Sequence, residues 1–309
     1  MIIRHFSYTK IFDVQVLYCT ITQNVQYKNQ IDMISITELS EKTGVNSVTL
    51  RAWERRYGLL KPQRTPKGHR FYTHADVDKV IKILNLIEQG VSVSKVKPLL
   101  DSGVETSELS ENWQQQIDRV FLASESFNKN RIEKIYREIS KEYPFSVSAF
   151  QFFKVILDEL ITRKDTGFRS DFMQNIILDN LKRSNYSYQQ SHSSEFKTVI
   201  FLNSMQLDGN ALLLSLLLKE INHEVEIFKN CTFNQIFEYM RYNPIDHFVY
   251  IDNKVLDSNQ LKKELKDNDL AQIFLVGAQL KLNQEMFDFS NLLTVVADPL
   301  EVFSIIKGD

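Results

Sequence analysis

At 309 residues, with 43% hydrophobic and 25% charged side chains and a net charge of −2, the chain has room for two or three globular domains. Its two cysteines, Cys19 and Cys231, cannot build a disulfide framework or a zinc cluster, which fits a reducing cytoplasm. No window approaches about 18 consecutive apolar residues, and the first residues lack a basic start, a clean apolar stretch and a small-residue cleavage site, so a cytoplasmic protein with neither membrane span nor secretory signal is expected.

The near-neutral total hides a division. Residues 33–103 hold 12 Lys/Arg against 7 Asp/Glu, whereas residues 104–309 hold 22 against 30. From Val48 to Arg70 there are seven basic side chains and one acidic, Glu54. Such asymmetry suggests that one part of the chain meets a polyanion, although a solvated charged face would give the same counts.

Residues 1–32 show no clear periodicity and read as a disordered or mis-started extension. From Ile34 the pattern is helical. Ser35 can cap a short helix carrying Ile36 and Leu39, ended by Gly44, and Ser47 can cap a second over 48–57, ended by Gly58. Two short helices around a Gly-containing turn form a helix-turn-helix. Residues 63–72, centred on Pro66-Lys67-Gly68, read as a β-hairpin wing. Thr73 caps a third helix with Val77, Val80, Ile81, Leu84 and Ile87 on one stripe, and a fourth starts at Ser92 or Ser94.

The stretch 104–190 lacks strand alternation and reads as a four-helix bundle. Its apolar positions are Trp113, Ile117 and Val120; Ile132, Ile135 and Ile139; Phe150, Phe153, Ile156, Leu157 and Leu160; Phe172, Ile176, Ile177 and Leu181. Residues 185–194 read as a polar linker. In 195–309 five strand-length apolar runs alternate with helical segments, which predicts a parallel five-stranded α/β domain with the flavodoxin-like strand order.

On the second helix, Leu50, Trp53 and Tyr57 fall on one face, expected inside, and Val48, Arg51, Ala52 and Arg55 on the other. A helix in the major groove needs a small or apolar centre flanked by long donors. Arg51 is the candidate for base readout, because guanidinium can bond guanine bidentately, and Arg55 and Arg56 for holding phosphates. Lys67 at the wing tip, with Arg64, His69 and Arg70 on the arms, suits backbone or minor-groove contact. Ser47, at the helix start, and Tyr72, at the end of the wing, complete the candidate DNA-binding set. No phosphate-binding Gly-rich loop, no metal-ligand spacing and no nucleophile beside a base stands out, so no enzymatic activity is expected.

The run TLRAWERRYGLLKPQRTPKGHRFY, residues 49–72, resembles the signature of MerR-type transcription regulators, especially the MlrA-like group, over about 70 residues. The resemblance implies a homodimer that binds double-stranded promoter DNA with an over-long spacer, distorts it and lets RNA polymerase recognise it. The order of winged helix, bundle and five βα units also resembles the cobalamin-dependent light-sensing regulators of the CarH and LitR type. In those, a histidine of an E/D-x-H-x-x-G loop after the first strand holds cobalt. Here the histidine position falls on Leu207 and the glycine on Asn210, the paired glycines after the fourth strand become Gly277-Ala278, and the bundle's Glu-His pair becomes Ser170-Asp171 before Phe172. Leucine has no lone pair for a metal, so no cofactor is expected. His223 and His247 stand isolated at strand starts and read as structural. Two roles stay open for this half: a ligand-free scaffold for dimer or partner contacts, and a small-molecule or cobalamin-responsive sensor using the crevice at the carboxyl ends of the strands.

Overall fold

The computed structural model describes residues 33–102, 111–162, 167–188, 194–254, 256–266 and 272–308; the extension expected at 1–32 lies outside them. These residues form two compact units, one built from residues up to 86 together with 94–102, the other from 87–93 and the chain from 111 onward.

The first unit begins with β1 (Ile34–Ser35) and α1 (Ile36–Thr43), where Ser35 accepts a hydrogen bond from the Glu38 amide at 3.1 Å and Gly44 ends the helix with φ 67°. Helix α2 (Ser47–Ala52) continues into a π turn (Trp53–Tyr57) and stops at Gly58. Its cap is Asn46, whose Oδ1 accepts from the Thr49 amide at 2.8 Å, so Ser47 is the first helical residue and not the cap. Both residue types cap well, and the extended backbone of Asn46 decides between them. The wing is β2 (Gln63–Arg64) and β3 (Arg70–Tyr72), and β1 pairs with β3 as a third strand, giving the order β1-β3-β2. Helices α3 (His74–Glu88) and α4 (Val93–Ser102) follow. The α3 stripe runs through Val80, Ile83 and Ile87, while Ile81 is exposed. Leu39, Val45, Leu50, Trp53, Leu59 and Leu60 fill the core of this unit.

The second unit opens with the predicted bundle: α5 (Glu111–Glu125), α6 (Lys129–Glu142), α7 (Phe145–Ser148), which runs through a π turn (Ala149–Phe153) into α8 (Lys154–Thr162), and α9 (Gly167–Tyr188). Helix α9 extends through Tyr188, so the start of the expected linker is helical.

The α/β part holds β4 (Phe196–Leu202), α10 (Asp208–Glu220), β5 (His223–Lys229), α11 (Phe233–Tyr242), β6 (His247–Ile251), α12 (Ser258–Lys266), β7 (Gln272–Val276), α13 (Ala278–Leu282), β8 (Leu293–Val296) and α14 (Pro299–Lys307). All strand pairs are parallel, in the order β5-β4-β6-β7-β8, the predicted flavodoxin-like arrangement. One face of the sheet carries Val199, Phe201, Phe248, Ile273 and Leu275 against α11, α12 and α13. The other face meets α10 and α14. Helix α10 is buried from Gly209 to Lys219 because β4 and β5 lie on one side of it and α9 on the other. A helix enclosed on all sides must be apolar all round, and its run ALLLSLLL is that. The bundle and the sheet therefore share one continuous interior.

Candidate nucleic-acid interface

Helix α2 turns Leu50 and Trp53 fully inward and leaves Tyr57 half-buried, as its periodicity predicts. The inward face is wider than expected: Thr49 is buried, and Ala52 is only 8% exposed. Ala52 therefore packs against the body and leaves the candidate contact face. Its small side chain lets α2 sit close there, and the π turn that starts at Trp53 changes the angular spacing of the residues after it. The exposed face consists of Val48, 64% exposed, with half-buried Ser47 and Arg51 and exposed Arg55 and Arg56. The Arg51 guanidinium donates to Ser47 Oγ at 3.3 Å, and Arg55 Nε donates to the Arg51 carbonyl at 3.3 Å, so both side chains lie back along the helix toward its N-terminal end. That end is the one a groove-reading helix presents to base edges.

The wing tip is a four-residue turn in which the Gly68 amide donates to the Thr65 carbonyl at 2.8 Å and Gly68 takes φ 84°, a conformation glycine adopts without cost. Lys67 and His69 stand exposed on it. Tyr72 differs from expectation: at 1% exposure, opposite Ile34 in the central strand β3, it points into the core, and its hydroxyl has no hydrogen-bond partner among the described residues. Burial, together with the charge of Glu54, raises the Tyr72 phenol above its ordinary value. The third strand β1 is what turns Tyr72 inward, and a two-residue strand carries too little alternation to be read from sequence.

Arg64 and Arg70 are also engaged differently from expectation. The carboxylate of Glu54, on the π turn of α2, accepts from Arg64 on Oε1 and from Arg70 Nε on Oε2, each at 2.6 Å. Burial would raise this carboxyl, but the hydrogen bonds and charges of the two arginines hold it below the usual value, and Glu54 in turn raises Arg70. Sequence reasoning missed this link, although one acid among seven bases was its signal. Lys97 of α4 was missed too; its ammonium lies 3.3 Å from where a Cβ on Gly58 would stand, beside the carboxyl end of the recognition segment, where the helix dipole favours a cation.

At the carboxyl ends of the sheet, the switch point between β4 and β6 carries a polar cluster. Asn203 donates to the Cys231 carbonyl and to the Tyr250 hydroxyl, both at 3.1 Å, and Tyr250 donates to Asp252 at 3.0 Å. Gly277 lies so close to Asp252 that a Cβ would stand 1.9 Å from its carbonyl oxygen, so the backbone alone requires glycine there. In the loop after β4, Leu207 precedes α10, Asn210 is buried, and the Leu157 methyls of α8 lie 2.7 Å from where a Cβ on Gly209 would be. His223 and His247, isolated in sequence, meet on adjacent strand starts with ring centroids 5.2 Å apart, and His223 Nδ1 shares a 2.8 Å hydrogen bond with Thr198. Among the described residues no group of three or more His, Cys, Asp or Glu side chains could hold a metal ion, and no helix is long and apolar enough to cross a membrane.

A recognition helix held outward beside a β-wing defines a winged helix-turn-helix module. Residues 34–103 match the family model described as MerR HTH family regulatory protein, so this segment is a MerR-type helix-turn-helix domain. The chain is 42% identical over 112 residues to the HTH-type transcriptional regulator MlrA of Salmonella typhimurium (strain SL1344), covering 36% of this chain and 45% of that protein. The MlrA of Escherichia coli (strain K12) is 40% identical over 112 residues, with the same coverage. The HTH-type transcriptional repressor CarH of Myxococcus xanthus is 31% identical over 119 residues, 34% of this chain and 39% of that one. The matches thus span less than half the length of these relatives.

Proposed function

We propose that the chain is a sequence-specific double-stranded DNA-binding transcription regulator of the MerR type, acting in the cytoplasm as a homodimer at promoters together with RNA polymerase. The observation that carries this reading is the outer face of α2, where Val48, Arg51, Arg55 and Arg56 stand beside a wing tip bearing Lys67 and His69. An apolar centre flanked by guanidinium groups suits a major groove, and the wing's cations suit flanking phosphates. The regulators named among its relatives support the regulatory role. Fluorescence anisotropy on a duplex selected by the protein from a random pool tests it. Raising salt about fourfold is expected to weaken binding by orders of magnitude through counterion release. A nearly flat response would remove this surface as the DNA face, and a footprint covering one half-site instead of two would remove the dimer.

We further infer that the C-terminal half is a scaffold for dimer or partner contacts that holds no corrin. Leu207 offers no metal ligand, the buried Asn210 side chain occupies the glycine position of the family loop, and Leu157 already covers the backbone of Gly209. These residues do not fit the group. At the switch point Asn203, Tyr250 and Asp252 hydrogen-bond to one another, which supports the scaffold reading over a small-molecule sensor.

A further inference from the structure

Seven basic side chains lie between Val48 and Arg70, and the single carboxylate among them is partnered by two of the seven. Glu54 is 14% exposed at its side chain, Arg70 21% and Arg64 49%, so the three groups form a partly covered cluster. Arg64 and Arg70 face each other across the wing as a register pair of β2 and β3, and Glu54 belongs to the segment that carries the outward arginines. The cluster therefore ties both arms of the wing to the recognition helix. Its net charge is one positive unit where two free arginines would supply two. Charge-assisted hydrogen bonds to separate carboxylate oxygens also fix direction, which a diffuse surface attraction does not.

We propose that Glu54 is a positioning residue: it locks the wing to the recognition helix through Arg64 and Arg70, and these two arginines set the angle between helix and wing instead of holding phosphates. The proposal rests on the DNA-binding reading and sharpens it. Phosphate contact falls to Arg55, Arg56 and Lys67, and the Glu54 tie decides whether Arg51 and the wing tip engage the duplex together. Preset geometry raises discrimination because only a duplex of the right groove shape satisfies both elements at once.

The test uses the full chain, the preferred duplex selected by the wild type from a random pool, and a scrambled duplex of equal length. Glu54→Gln with Arg70→Gln removes one pair without changing net charge. The expected result is a fall of roughly tenfold in the preferred-to-scrambled affinity ratio, with the salt slope unchanged. Arg55→Ala, run beside it, is expected to lower the slope by about 0.9, the value for one lost phosphate contact. The proposal is overturned if the double variant itself lowers the slope by about 0.9, which would make Arg70 a phosphate contact. It is equally overturned if affinity ratio and slope both stay at wild-type values, which would make the cluster an inert surface bridge. Should circular dichroism show the double variant unfolded, the isosteric Glu54→Gln carries the decision through the affinity ratio alone: a loss supports the tie, and an unchanged ratio rejects it. A wild-type protein with a flat salt response would sink the DNA-binding reading itself, an outcome distinct from all of these.

Discussion

Arg51 and Arg55 sit one turn apart on α2 and are held by different partners, which separates reading from holding. Arg51 lies half-buried against Ser47 near the N-terminal end of the helix, whereas Arg55 is exposed and anchored only to the Arg51 carbonyl. Arg51→Ala is expected to cost about 1 to 3 kcal/mol on the preferred duplex and to relax preference at one base pair in each half-site. Arg55→Ala is expected to weaken preferred and random duplexes alike. Affinity measured across single-base variants of the site decides between the two, and an equal loss on every sequence for Arg51→Ala would remove its readout role. A second residue-scale prediction concerns acid. Burial, with the neighbouring His247 adding to it, lowers His223 to about 4, and burial lowers His247 as well. The unfolded chain therefore binds more protons than the folded one below about pH 6.5, so stability falls as pH drops from there toward about 4. His223 alone corresponds to about 3 kcal/mol at most. Melting temperatures taken from pH 7 to pH 4 are expected to fall less steeply for His223→Gln than for the wild type; equal slopes would exclude His223 as a source of the acid sensitivity. Of these residues, Arg51 and Arg55 were legible because a charged stripe survives in one dimension. The histidine pair was not, since 23 intervening residues separate two side chains that parallel strands bring side by side.

At the scale of elements, α10 shows what packing adds to pattern. Its apolar run announced a buried helix, and the alternation of apolar runs announced the five parallel strands in their order. The partner of its outer face was hidden, because the polar run Asn185-Tyr186-Ser187-Tyr188 reads as linker. In the structure this run is the end of α9, and Asn185 accepts hydrogen bonds from Ser215 and Lys219 of α10. At the other end of α10, Leu157 rests on Gly209, which makes a direct prediction. Gly209→Ala forces a methyl into the Leu157 side chain and is expected to destabilise by about 1 to 3 kcal/mol, as overpacking does. Leu157→Ala alone leaves a cavity costing about 2 to 5 kcal/mol. The double variant is expected to cost less than the sum, because each change makes room for the other. Denaturant unfolding of the four proteins measures the coupling, and strict additivity would mean that the two residues do not touch.

For the molecule as a whole, domain order and residue chemistry predict opposite responses to cobalamin, and a site follows its chemistry. Incubation with adenosylcobalamin and gel filtration is expected to leave the protein colourless, with illumination changing neither its oligomeric state nor its DNA affinity. Leu207→His alone is not expected to restore binding, because Asn210 and Leu157 still occupy the loop. Pigment co-eluting at one per chain would restore the photoreceptor reading. The enclosure of α10 bears also on how such a chain can change over generations. A recombination breakpoint near residue 190 would divide the bundle from the strands and leave α10 with one flank of leucines facing water, and the Lys154 bridge to Asp298 would be severed with it. Either fragment would lose part of the interior it needs to fold, so joints at that point would be purged. The bundle and the sheet are thus inherited as a single block.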